Sequence, residues 1–378
     1  MSDLSIGLCA ADRIHSQLNV SSYFDAAQFE LERERILNRA PRYVGHELSV
    51  PRLGDFHALP QEGEGRALVH TPQGVELISN VCRHRQAVML RGRGSTAAAG
   101  NTIVCPLHRW TYSAHGQLIA APHFPDDPCL DLKNYPLQRW NGLLFDAGPR
   151  DVARELASLG PKADLDFTGY VLDRVHLHEC DYNWKTFIEV YLEDYHVGPF
   201  HPGLGNFVTC DDLRWEMGAD YSVQTVGIAT PGGKVLGRPG SDVYRKWHDV
   251  VLDYSDGRTP RQGAVWLTYY PTLMVEWYPH VLVVSSLIAT GPRTTRNVVE
   301  FYYPEDICAF EREFVEAQQA AYMETCFEDD QIALRMDAGR AALLARGDDE
   351  YGPYQSPMED GMQQFHEWYR RAMVAAPA

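Results

Sequence analysis

Cys82 and His84 in the run CRH, and Cys105 and His108 in CPLH, stand at the spacing C-x-H-x20-C-x2-H. Two thiolates suit a ferric iron bridged by sulfide to a second iron, and two neutral imidazoles on that second iron leave the cluster less negative than four thiolates would. A [2Fe-2S] centre of this kind has a reduction potential of roughly −150 to +300 mV, against about −400 mV for an all-thiolate plant-type cluster. It accepts one electron from a flavin or ferredoxin and hands it on. The same residue types also suit a structural zinc ion. Zinc fingers, however, pair Cys with Cys and His with His, whereas each cluster here is mixed.

A second constellation lies in NWKTFIEVYLEDYHVGPFHPGL, from Asn183 to Leu204. Glu189, Glu193 and His196 fall at i, i+4 and i+7, so an uninterrupted helix would set them on one face. On that helix His201 would point about 140° away from His196. Gly198 and Pro199 disfavour the continuation, so the chain can turn after His196 and bring His201 back beside it. Two imidazoles need one carboxylate to complete a facial triad, which leaves open positions on non-haem Fe(II) for O2 and substrate. The run CFEDDQIALRMDAG supplies candidates. On a long helix spanning 304–345, Tyr322, Cys326, Asp329, Ala333 and Met336 form one stripe, and Met323, Phe327, Asp330 and Leu334 form its neighbour. A buried acid there needs a partner or a metal. Spacing leaves Asp329 and Asp330 both open. Glu189 and Asp194 read as structural or as supporting the metal ligands from behind, and Asn183, Trp184 and Lys185 as fixing the start of the helix.

These side chains need elements to hold them. Residues 22–40 carry helical periodicity that ends at Pro41, and from 41 to 150 short apolar runs cut by Gly, Pro and Asn read as an all-β domain around the cluster. Within it GRGSTAAAG reads as an exposed loop. The stretch 264–304 reads as consecutive antiparallel strands turning near Pro271, Pro279 and Gly291, with one face lining the mononuclear site. Its Trp266, Tyr269, Tyr270, Trp277 and Tyr278 are numerous enough to cage a cation, and are equally what a sheet core contains.

At 378 residues the chain is comfortable as two domains. Its 34 Lys and Arg against 51 Asp and Glu give a net charge of −17, which argues against a nucleic-acid partner. The eight cysteines (Cys9, Cys82, Cys105, Cys129, Cys180, Cys210, Cys308 and Cys326) are spread too irregularly for a disulfide framework. The start MSDLSIGLCAADRIH lacks a basic, apolar leader, and VLVVSSLIA is too short to cross a bilayer. A cytoplasmic protein that does not bind membranes is expected.

Taken together, the two motifs resemble the catalytic α subunits of Rieske non-haem iron oxygenases, the aromatic ring-hydroxylating family. The resemblance covers Asp55 to the end of the cluster region, Asn183 to Pro202 and, more loosely, the C-terminal helix. CPLHRWTY is similar to the family's CPxHGWxY, with Arg109 where Gly is usual. The family's fold is α+β. It implies an all-β Rieske [2Fe-2S] domain at 41–150, a helix-grip catalytic domain at 151–378 with an antiparallel sheet flanked by helices, and an N-terminal helical segment at 1–40 packed on the catalytic domain. By position it makes Cys82, His84, Cys105 and His108 the cluster ligands and His196 and His201 iron ligands. It makes Glu193, three residues before the first His, a bridge towards the cluster. The family's EDxxLxxxxQxG ending, anchored at Gly339, aligns Asp329 with the carboxylate ligand. Most ring-hydroxylating members have Asp where Glu193 stands. Glu resembles the branch acting on quaternary ammonium compounds, with ENYxECYHC, although this chain lacks that branch's Asn and Cys.

The resemblance implies a mono- or dioxygenase component. Electrons from NAD(P)H would reach the cluster through a separate reductase or a ferredoxin and pass to a mononuclear Fe(II) that activates O2. In a head-to-tail homotrimer they would cross between subunits by way of His108, Glu193 and His196. Hydroxylation of an aromatic or other small organic substrate is the first expectation. Oxidative demethylation or C–N cleavage of a compound such as glycine betaine or carnitine is the alternative. A non-catalytic electron carrier or redox sensor is the other class, and the His196/His201 motif with some 230 residues beyond position 150 argues against it.

Overall fold

The computed structural model describes residues 17–229, 240–255, 258, 260–348 and 350–374. The first sixteen positions, with Cys9 and the segment read as lacking a leader, lie outside the described residues. No described helix is long and apolar enough to cross a membrane.

The first half is built from short strands in three small sheets, two of three strands and one of five. Cys82 lies just after the strand Gly74–Ser79, and Cys105 joins the paired strands Thr102–Val104 and Thr111–Ser113. The two cluster loops close alike. Cys82 N–H donates to Ala87 C=O and accepts Gln86 N–H on its own carbonyl; Cys105 does the same with Trp110 and Arg109, all four bonds being 2.8–3.1 Å. This turn requires a left-handed residue four positions after each Cys, and Gln86 and Arg109 sit there at φ 52° and 62°. A side chain with a Cβ is disfavoured in that conformation, which accounts for Gly at this point in the resembling pattern. The GRGSTAAAG loop is exposed apart from Thr96 and contains a short strand, Arg93–Ser95.

The second half is organised on one seven-stranded antiparallel sheet: β1 (Tyr170–Cys180), β2 (Val208–Met217), β3 (Tyr221–Ile228), β4 (Ala264–Tyr269), β5 (Leu273–Tyr278), β6 (Val281–Gly291) and β7 (Thr294–Pro304), in the order β1-β7-β6-β5-β4-β3-β2. Alternation assigns its faces. In register, Trp266 pairs with Glu276 and Glu276 with Val283; this face joins the core that holds Phe207, Trp247 and Phe314. Val265, Leu267, Tyr269, Val275 and Leu282 point the other way, against Leu143, Phe145 and Leu156. Helices α1 (Trp184–Tyr191), α2 (Val197–Phe200), α3 (Asp242–Tyr254) and α4 (Arg312–Arg346) cover the first face or its edge.

Two helix readings need correction. The 22–40 stretch is helical only over 26–37, winding as an α-helix over Ala26–Glu32 and running on without a break as a π turn over Arg33–Leu37; it is separated from the 3-10 turn Val20–Tyr23 because Asp25 caps a fresh start by accepting from Ala27 N–H and Gln28 N–H. The 304–345 helix is broken at Glu311, which leaves helical geometry (φ −115°, ψ 57°) between Glu305–Phe310 and α4.

Candidate active site

The segment carrying both histidines does not form the single helix its spacing suggests. Asn183 caps α1 by accepting from Lys185 N–H, and the helix ends at Leu192. Glu189 therefore faces away from His196. It is fully buried between Tyr23, Arg340 and His366, and Arg340 with His366 holds its carboxyl down at about 2 although burial pushes the other way. His196 and His201 instead flank α2, a single turn whose first residues include Gly198 and Pro199, where a missing N–H does no harm. One turn of helix, rather than a break, brings the rings together.

The Nε2 atoms of His196 and His201 are 3.0 Å apart, and Asp329 Oδ1 lies 3.4 Å from the first and 3.0 Å from the second. Both Nδ1 atoms face outward to carboxylates: His196 to Glu193 and His201 to Glu328, the latter at 2.7 Å. Each imidazole thus donates from Nδ1 and presents the Nε2 lone pair to the common point. Three electron-pair donors this close repel unless a cation, proton or metal, sits among them. The carboxylates of Asp329 and Glu193 outweigh burial and raise His196 to about 10. Cis ligands at about 2.1 Å from one ion are about 3.0 Å apart, so the donor set fits a mononuclear iron of the two-His, one-carboxylate kind.

The structure separates the two aspartates that spacing left open. Asp329 meets the histidines, whereas Asp330 accepts from Tyr182 (2.7 Å) and pairs with His178 (2.8 Å), tying β1 to α4. Asp337, on the same helix, accepts from Thr186 and from the Asn183 N–H at the head of α1. Glu328 was missed by sequence reasoning; its signal was the acid directly preceding Asp329.

At the first cluster site, Cys82 and Cys105 are buried to 2% and 1% exposure, while His108 lies at the surface. The His84 and His108 ring centroids are 4.7 Å apart, and the buried His84 Nδ1 has no hydrogen-bond partner among the described residues. Tyr112 Oη lies 3.6 Å from Cys82 Sγ, and Trp110 stacks on His84. Two buried thiols and two adjacent imidazoles, one with an unused nitrogen, suit a [2Fe-2S] cluster exposed on its histidine side.

The proposed mononuclear site opens into a cavity of about 90 Å³. Four carboxylates line it (Glu193, Asp194, Glu276 and Asp329), and the described lining contains neither Lys nor Arg. Burial pushes Asp194 and Glu276 up to about 7. Of the five aromatic residues considered for a cage, only Trp266 and Tyr278 line the cavity. Tyr269 and Trp277 belong to the opposite face of the sheet and Tyr270 packs with Trp184 and Phe365.

Residues 41–136 match the Rieske [2Fe-2S] domain and residues 167–375 the catalytic domain of the ring-hydroxylating alpha subunit. The chain belongs to the Rieske oxygenase α-subunit family. It is 64% identical to putrescine 2-hydroxylase of Ralstonia nicotianae, over 99% of this chain and 100% of that protein. It is 30% identical to the carnitine monooxygenase oxygenase subunit of Escherichia coli K12, over 55% of this chain and 58% of the relative. A solved quaternary ammonium Rieske monooxygenase in complex with L-carnitine shares the fold, with a TM-score of 0.71 and 18% identity over 94% of this chain and 95% of that one. The oxygenase therefore uses a [2Fe-2S] cluster, a mononuclear iron, O2 and electrons supplied by a reductase, and acts on a small molecule.

Proposed function

We propose that this oxygenase hydroxylates an aliphatic amine, with putrescine (1,4-diaminobutane) as its first candidate substrate. The observation that carries the reading is the charge of the cavity. Asp329 would be balanced by a divalent iron and Glu193 is engaged with His196, which leaves Asp194 and Glu276 buried and ionisable, with neither Lys nor Arg beside them among the described lining residues. Unpaired buried carboxylates are costly, and a dication relieves both. The 64% identity to a putrescine 2-hydroxylase supports the same substrate, and the relatives lend no support to the aromatic expectation.

In this reading His196, His201 and Asp329 hold the iron, and Cys82, His84, Cys105 and His108 hold the cluster. When bound, these centres supply O2 activation and one-electron delivery. Glu193 and Glu328 keep both imidazoles in the Nδ1–H form and aim Nε2 inward. Trp266, Tyr278 and Phe207 exclude water from the cavity, while Asp194 and Glu276 attract and orient the amine. Glu193 also faces the route by which electrons arrive. We further propose a homotrimer in which His108 of one copy approaches Glu193 of the next, working in the cytoplasm, where thiol ligands stay reduced.

The test is a panel of putrescine, carnitine, glycine betaine and an aromatic hydrocarbon, assayed with a reductase and NADH and read by mass spectrometry. Putrescine should gain one oxygen atom. Turnover of the aromatic or of a betaine, with putrescine untouched, would reject the amine reading.

A further inference from the structure

Glu276 projects from the middle of β5, and its carboxylate is held at both oxygens. Tyr278 Oη donates to Oε2 and Tyr322 Oη donates to Oε1, each at 2.8 Å. Tyr278 Oη in turn accepts from Trp266 Nε1 at 3.0 Å, so three aromatic side chains fix the acid in place. Glu276 is 1% exposed and lines the cavity. An ionised carboxylate has about four acceptor positions, and the Tyr278, Tyr322 and neighbouring Tyr191 hydroxyls account for at most three of them. Asp194 Oδ2, buried on the same cavity wall, has no hydrogen-bond partner among the described residues. A described lining with spare carboxylate acceptors and neither lysine nor arginine is short of N–H donors.

We propose that Glu276, oriented by Tyr278 and Tyr322, is the seat of one ammonium end of the substrate and makes the pocket selective for amines that retain N–H bonds over fully N-methylated ones. This rests on the aliphatic-amine reading and deepens it. A primary ammonium brings three donors to the spare lone pairs of Glu276 and its neighbours. A trimethylammonium brings none, and its methyl shell holds the charge away from the carboxylate. The alternative way to hold such a cation is a set of ring faces around it. Here two of the rings present their hydroxyls to Glu276 instead, and Tyr278 and Tyr322 stand nearly perpendicular, at 88°.

The experiment uses the holoenzyme and calorimetric titration with putrescine and with its fully N-methylated analogue, alongside KM and kcat for putrescine. Wild type should bind putrescine about ten- to a hundredfold more tightly than the methylated analogue, the worth of a charged hydrogen bond. Glu276→Gln should raise Kd and KM for putrescine by about the same factor, with cluster absorbance and iron content unchanged. A variant within twofold of wild type on both constants overturns the assignment, as does wild type binding both ligands equally. If Glu276→Gln fails to fold, the comparison of the two ligands on wild type still decides. A wild type that neither binds nor converts any aliphatic amine overturns the substrate reading and this seat together. Conversion of putrescine with an indifferent Glu276→Gln overturns the seat alone.

Discussion

Replacing Glu328 by Ala should loosen the mononuclear iron while leaving the cluster intact. Glu328 touches no metal in the proposed site; it accepts the Nδ1 proton of His201 at 2.7 Å, and its side chain is 18% exposed. His201 is itself 1% exposed, so without Glu328 its Nδ1–H has no other side-chain acceptor among the described residues and the tautomer with the proton on Nε2, towards Asp329, gains ground. A hydrogen bond to a charged group contributes about 1.5–3 kcal/mol, which at 1.4 kcal/mol per decade is a factor of roughly 10–150 in affinity. Loss of an outer partner of a metal-binding His generally costs about 10–100-fold, so the two routes agree. Glu328→Gln keeps an acceptor oxygen and should stay within a few-fold of wild type. The assay is anaerobic equilibration with Fe(II) against a competing chelator, counting iron beyond the two atoms of the cluster, whose absorbance serves as internal control. Wild-type affinity in Glu328→Ala, or equal loss in Glu328→Gln, would refute the argument.

Glu193→Gln preserves an acceptor for His196 Nδ1 and should leave both metal contents unchanged, but removing the charge should lower coupled turnover by about ten- to a hundredfold; normal coupling of NADH oxidation to product would remove Glu193 from the electron route. Acid stability tests the buried Glu189 network. Its folded pKa of about 2 lies below the ordinary 4.5, so its contribution is fully present above about pH 4.5 and is lost as pH falls towards 2. The difference corresponds to about 3 kcal/mol, and Glu189→Gln should flatten the acid limb of urea midpoints between those limits. An unchanged slope in that variant would exclude Glu189 as its source.

The chemistry was legible in the sequence because ligand types are local. A Cys-x-His followed 20 residues later by a Cys-x2-His, each pairing a thiolate with an imidazole, points to a mixed-ligand diiron centre rather than to zinc, and two histidines five residues apart can meet across one turn of chain. Strand alternation was legible too, and parity could have separated Trp266 and Tyr278 from Tyr269 and Trp277, since neighbouring strand residues face opposite sides of a sheet. Spacing alone did not choose between Asp329 and Asp330, because adjacent residues of a helix differ by only about 100° and either can meet an apolar stripe; only the family resemblance pointed to Asp329. In the fold the two acids part because His178 and Tyr182 engage Asp330. Glu189 shows the same limit: its spacing to His196 assumed one helix, and the chain ends that helix at Leu192. Glu276 lies in the sequence as one acid in an apolar strand. Only the packing of α4 against β5, which brings Tyr322 onto its carboxylate beside the proposed iron ligands, turned it into part of a site. Residue types and spacing determined which metals the chain can hold; long-range packing decided which acids face them and which remain for a cation.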